Sequence, residues 1–401
     1  MASTINASST GSGGLITTGD ASGELALQAN GVTKATVNAS GMAMASNQTI
    51  STANTYGFKN RLINGNMEIS QRDGTASVTV TTDGVYGLDR YLMSSTASSK
   101  YSYQQNAGSV TPPAGFAYYL GITSLSAYTL SSTDFFGTQQ RIEGLNSYDL
   151  DWGTANAKTV TLSFWVRSSL TGTFGGSLRS GNFGICYAYS YTINAANTWE
   201  QKTITIAGPT SGTFYNTNAL GLSVIWSWGC GSTYLTSTLN TWQSGTFLAP
   251  TGQTNVVGTN GATFYITGLQ LEVGSQATSF DFRSIGQELA LCQRYFVSFG
   301  GDSVYQRFGI GINQSGTNGY PIVNLPVVMR TSPTLTFSLA ADFSMWNGNT
   351  IISAANLVVD QASTTNVSLN VSVTSGLTAG NPIGLLASNT LNSRLRFSAE
   401  L

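Results

Sequence analysis

The stretch TVTLSFWVRSS, residues 159–169, decides the fold. Val160, Leu162, Phe164 and Val166 fall on one side of an extended chain and Trp165 on the other, the period of two that a strand with one buried face requires. Outward from it the same pattern recurs in FGICYAYSYTI (183–193), WEQKTITIAG (199–208), ALGLSVIWSWG (219–229) and ATFYITGLQLEVG (262–274). Strands of this length, divided by Gly, Asn and Ser, describe a β-sandwich or jelly roll over 56–283. Further along, SVYQRFGIGI, YPIVNLPVVMR, SPTLTFSL, NLVVDQ, NVSLNVSVT and SRLRFSAEL write a second β domain over 298–401, expected as another sandwich. Within it Val367, Leu369, Val371 and Val373 alternate with polar residues, and Pro326 and Pro333 belong at strand edges or starts. The fold class is all-β.

Two segments depart from this pattern. Residues 1 to about 23 are small and polar, with too few apolar side chains to order themselves. In the following GELALQANGVTKATVNASGMAMAS, Leu25 and Leu27 alternate, Asn30-Gly31 marks a hairpin, and Val32 and Val37 continue the apolar side. That side is too thin to offset an ordering entropy of about 1–2 kcal/mol per residue. Several copies wound together would cover one another, so Leu25, Leu27, Val32 and Val37 are the expected oligomerisation contacts of an N-terminal segment 1–55. The other departure is SIGQELALCQRYF, residues 284–296. Ser284 and Gln287 have capping-box spacing, and Ile285, Leu289, Cys292 and Phe296 form an apolar stripe widened by Leu291 and Tyr295. The spacing predicts a helix over 284–297 that connects the two β domains, with Glu288 and Arg294 suited to its dipole.

Composition removes whole classes of function. Only 9% of the 401 residues are charged, against about 25% in an ordinary soluble protein. The net charge of −1 gives no electrostatic reason to expect nucleic acid as a partner. There is no histidine, which excludes Ser-His-Asp and Cys-His nucleophiles and the usual zinc sites. No apolar run approaches the ~20 residues that span a bilayer, so membrane insertion is not expected. The N-terminus lacks the basic and apolar regions of a secretory signal, which points to synthesis in a cytoplasm. Cys186, Cys230 and Cys292 lie far apart in apolar contexts and are expected as buried thiols. Neither a metal site nor a cofactor is expected.

NRLINGNMEISQR, YGLDRY, FYITGLQLEVGSQATSFDFRS, ELALCQRYF, LPVVMRTSPTL and the final SAEL together resemble tail-fibre and related receptor-binding proteins of bacteriophages. The similarity runs from about residue 58 to the end, and ELALCQRYF after GLQLEVG is its most distinctive part. The resemblance implies a homotrimeric virion fibre, attached to a tail or other virion protein by its N-terminus. It also implies a jelly roll like a carbohydrate-binding module, and a distal β domain that meets a host cell-surface polysaccharide or receptor. This chain is short for a fibre and carries no long coiled coil or collagen-like stem.

Aromatic residues are the candidate glycan contacts, because an aromatic ring stacks on the C–H face of a sugar. Trp226 and Trp228, two apart on one strand face, form either a stacking platform with Tyr234 and Trp242 or part of the sandwich core. Trp346, before Asn347-Gly348, and Tyr305 and Tyr320, beside turn residues, are the candidates in the distal domain. Asp149 and Asp151 are the one pair considered for hydrolysis, which needs two carboxylates flanking the bond; a polar loop or a calcium-type site is the other reading of that spacing. Three functions therefore remain. The chain is a non-enzymatic fibre that binds a glycan, a carboxylate-dependent polysaccharide depolymerase, or a structural virion adaptor or capsid-attached fibre with only packed aromatics.

Overall fold

In the computed structural model, residues 24–29, 32–38, 41–44 and 58–401 are described. Contacts divide the chain into two units, 1–57 and 58–401. In the first, strands Leu25–Ala29, Val32–Asn38 and Gly41–Met44 form an antiparallel sheet, with Leu25 opposite Val37 and Leu27 opposite Ala35. Leu25, Leu27, Val37 and Met42 are exposed while Ala35 is buried, so one copy leaves most of its apolar side chains in water. The Asn30-Gly31 turn and the side chain of Val32 lie outside the described residues.

The second unit is built from β-sheets, with one α-helix among the described residues. A six-stranded antiparallel sheet runs Glu200–Ile206, Val160–Ser168, Thr263–Val273, Leu120–Ser124, Tyr101–Gln105, Val78–Thr79. Facing it is a seven-stranded sheet in the order Trp242–Ser244, Ile185–Ile193, Gly172–Ser180, Leu220–Cys230, Phe135–Glu143, Tyr91–Ser95, Val85–Tyr86. Val160, Leu162, Phe164 and Val166 are fully buried in the core between the sheets, as their alternation requires, and Trp165 lies on the opposite face, half-buried. The strand Gly172–Ser180 does not stand out in the sequence because its glycines resemble turn punctuation. Gly176 is where two neighbouring strands close in: a Cβ there would collide with the Ile225 carbonyl.

Residues 307–387 form a closed six-stranded barrel, where the sequence pattern suggests a sandwich. Both architectures demand the same inside–outside alternation, so period alone does not separate them. Val367, Leu369, Val371 and Val373 point into its core. A three-stranded sheet of Phe296–Phe299, Leu395–Ser398 and Thr334–Phe337 packs against the same core. No helix among the described residues is long and apolar enough to cross a membrane.

The helix spans Ile285–Gln293. Ser284 is its N-cap but makes no side-chain capping bond, Ile285 is exposed, and Phe296 already belongs to the next strand. Its buried residues join a small cluster: Cys292 and Tyr295 with Ile63, Ile69, Leu289, Leu291 and Leu401. Charged groups pin it at both ends. Glu288 accepts from the backbone N–H of Asn64 and from Arg283, while Arg294 forms a bidentate pair with Glu143 at 2.6 and 2.9 Å. Glu143, fully buried, also accepts from the Tyr295 hydroxyl at 2.7 Å, and burial pushes that phenol up to about 12.

NRLINGN forms turns. Buried Asn60 and Asn64 replace missing ladder bonds. Asn60 accepts from the N–H groups of Leu62 and Leu271 and donates to Leu269 O. Asn64 accepts from Ile69 N–H and donates to Ile69 O and Asp89 O. A side-chain amide can do this because it carries both donor and acceptor. The three cysteines are free and buried.

Candidate functional site

The outer face of the barrel carries a row of residues aligned across five strands. Ile322 pairs with Ile310, Ile310 with Gly384, Gly384 with Trp346, and Trp346 with Ile351. All four side chains in this row are exposed, from 40% for Trp346 to 79% for Ile310. One step along the same face, Tyr320 pairs with Ile312 and Ile312 with Pro382. Gly384 leaves a gap between Ile310 and Trp346, since a Cβ there would meet the indole only in ordinary contact at 3.7 Å. The result is a groove of about 700 Å³, floored by Gly384 and walled by Ile310, Ile322, Trp346 and Pro382. A contiguous exposed apolar surface of this kind marks an interaction site more often than a scattered isoleucine does.

Its polar side chains are few, and those of Arg307 and Asn324 are uncommitted. Arg307 lays its guanidinium over the Trp346 ring, 4.5 Å from the centroid. No carboxylate lies within 4 Å of it among the described residues. The side chain of Asn324, also lining the groove, makes no hydrogen bond there either. Trp346 is presented by a braced turn: Asn347 Oδ1 accepts from the N–H groups of Asn349 and Thr350 at 3.0 and 2.9 Å, and its Nδ2 donates to Gly376 O at 3.2 Å. An open indole edge, an apolar wall, an unpaired guanidinium and a free amide can together stack on a sugar ring and hydrogen-bond its hydroxyls.

The sequence candidates separate sharply. Trp346 lines the groove; Tyr320 lies on the same barrel face, its hydroxyl donating to Gln314 at 2.9 Å. Tyr305 is exposed, in the left-handed region at φ 58°, just before the strand Arg307–Asn313 and outside the groove lining. Trp226 and Trp228 are corrected: both are completely buried between the sheets, packed edge-on against Phe164 and Tyr101, so neither face can meet a ligand. Tyr234 packs with Phe135 and Leu248 in a separate cluster. Trp242, its indole N–H donating to Ala207 O at 2.8 Å, is built into an aromatic cluster with Trp152, Tyr187 and Phe214. The four do not form one platform. Ile310, Ile322, Gly384 and Arg307 escaped the sequence reading because only strand register brings them together.

Asp149 and Asp151 do not stand as a free carboxylate pair. Asp149 holds Arg61 in a bidentate pair, both bonds 2.8 Å; Asp151 sits in a left-handed turn with Lys158 at 3.4 Å.

No family model matches the sequence, and no curated protein matches it. Among solved structures, the enzymatically active domain of bacteriophage CBA120 tailspike protein 4 aligns at 10% identity with a TM-score of 0.30, over 54% of this chain and 21% of that one. TmCBM61 in complex with β-1,4-galactotriose aligns at 10% identity and a TM-score of 0.28, over 54% and 99% of the two chains. The family 11 carbohydrate-binding module of the Clostridium thermocellum cellulase Lic26A-Cel5E aligns at 13% identity and 0.25, over 51% and 98%.

Proposed function

We propose that this chain is a non-enzymatic, homotrimeric virion fibre of a bacteriophage that binds a host-surface glycan in the groove at Trp346. The observation that carries the binding reading is the exposed indole beside an unpaired Arg307, on a row of apolar side chains that a lone barrel has no reason to expose. The virion setting rests on the sequence resemblance. The trimer rests on the exposed Leu25, Leu27 and Val37, whose apolar surface a second and third copy would cover. In such a fibre each sugar site can be weak, because three copies engaging one surface raise the effective concentration of the next.

The test compares the full chain with Trp346→Ala and Gly384→Val against an array of bacterial surface polysaccharides. Gly384 is not in the left-handed region, so valine fills the groove without backbone strain. Expected is a wild-type signal on one class of polysaccharide, lost in both variants, with no release of new reducing ends. Binding that survives both substitutions overturns the site; new reducing ends overturn the non-enzymatic reading. A solution mass near 42.2 kDa, instead of three times that value, overturns the trimer.

A further inference from the structure

A second cavity lies away from the barrel groove, where residues 70–74 meet the three-stranded sheet. It measures about 490 Å³ and is lined by Arg72, Arg394 and Arg396 together with Gln71, Asp73 and Asn392. Three guanidiniums thus face one space with one carboxylate among them. That carboxylate is already engaged, since Asp73 accepts from the Tyr103 hydroxyl at 2.6 Å, and no guanidinium lies within 4 Å of it.

Several donors in this cluster lack acceptors. The Nε of Arg396 is buried without a hydrogen-bond partner, whereas Arg72 is already ion-paired, its Nη2 with Glu400 at 2.9 Å and its Nη1 facing Asp89 at 3.6 Å. Arg396 spends its Nη2 on Arg72 O at 2.8 Å. Arg394 spends Nη1 on the carbonyls of Leu391 and Ser393 at 2.7 and 2.9 Å, and its Nη2 and Nε have no acceptor among the described residues. Gly301 leaves the space that the Arg394 guanidinium occupies. Burial pushes the Arg396 pKa down, and the like charges of Arg394 and Arg72 push the same way against Asp73.

Neighbouring cations, one of them with a buried unpaired N–H, are costly side by side and favourable around an oxyanion, which guanidinium forks match in charge and geometry. The geometry points to this cavity as a binding site for an oxyanion group, the carboxylate of an acidic sugar or a phosphate, held by Arg394 and Arg396. It is independent of the groove at Trp346 and charges the protein with a second, electrostatic contact to its ligand.

The test titrates the full chain with inorganic phosphate and, separately, with glucuronate, by calorimetry and thermal melts at matched chloride ionic strength. The variant is Arg394→Gln, whose lost bonds are to two loop carbonyls. Expected is a rise in Tm with one of the two anions over the chloride control, and about tenfold weaker binding in the variant. The unliganded Tm of the variant should be unchanged or higher, because one of three crowded cations is gone. Response to phosphate alone assigns a phosphate site, and response to glucuronate alone an acidic-sugar site. No response beyond chloride, or an equal response in Arg394→Gln, overturns the proposal.

Discussion

Arg90 and Arg307 each lay a guanidinium over an aromatic ring, and their surroundings give the two pairs opposite consequences. Arg90, 3.5 Å above the Tyr295 ring, is almost fully buried, ion-paired with Glu400 and bonded to Arg141 O. Arg307, over Trp346, is exposed and unpaired. The sandwich region treats its tryptophans likewise: Trp226 and Trp228 are sealed between sheets, whereas Trp346 closes a strand at the barrel surface. Residue type is therefore silent about role. A facing sheet turns an aromatic into core, and the lack of one leaves it as a contact surface.

The comparison breaks most easily at Trp226. Trp226→Ala should cost about 3–5 kcal/mol in chemical denaturation, while the fraction that remains folded binds glycan as before. A loss below about 1 kcal/mol would mean that the inter-sheet core is not sealed. Arg90→Gln comes next, at about 3 kcal/mol. It removes one of two cations from Glu400, which keeps only Arg72 at 2.9 Å, and it strips a stacked cation from Tyr295. The matching change on the barrel, Arg307→Gln, should move stability by less than about 0.5 kcal/mol and weaken glycan binding about three- to tenfold. Equal stability losses in the two arginine variants would erase the distinction.

Much of both β regions was legible because alternation names a buried face directly: Val160 to Val166 in the sandwich and Val367 to Val373 in the barrel both lie where their period puts them. The helix was legible as a helix, expected over 284–297 and found over Ile285–Gln293. Its anchoring was not, because Glu143, Asn64 and Arg283 are partners that spacing cannot reveal. Trp346 could be singled out from the turn beside it. The groove could not, since Ile322, Ile310, Gly384 and Ile351 come from strands that only register aligns. Trp226 and Trp228 stayed open between platform and core for the same reason: a strand shows which residues share a face, but not whether another sheet covers it; the structure settles them as core.

Acid should separate the two regions by the smallest measurable margin. Partial burial pushes the Glu200 carboxyl up, but the Lys202 ammonium and the N–H groups of Ala195 and Asn194 more than reverse this and hold it down to about 2. Asp134, despite desolvation, is likewise lowered by Ser131, Thr96 and Tyr128. A carboxyl lowered in the fold contributes stability that is complete above its unfolded value, 4.5 for Glu200. That contribution fades as pH falls toward 2. Asp89, raised by burial, works in the opposite sense, so a single variant is needed to isolate one side. Thermal melts between pH 6 and 3 should show Tm falling less steeply in Glu200→Gln than in the wild type. The groove is lined by no titratable side chain other than Arg307, so binding of a neutral glycan by the folded protein should stay flat across the same range. A binding curve that follows the Glu200 limb would tie the barrel face to the sandwich edge and end the separation between them.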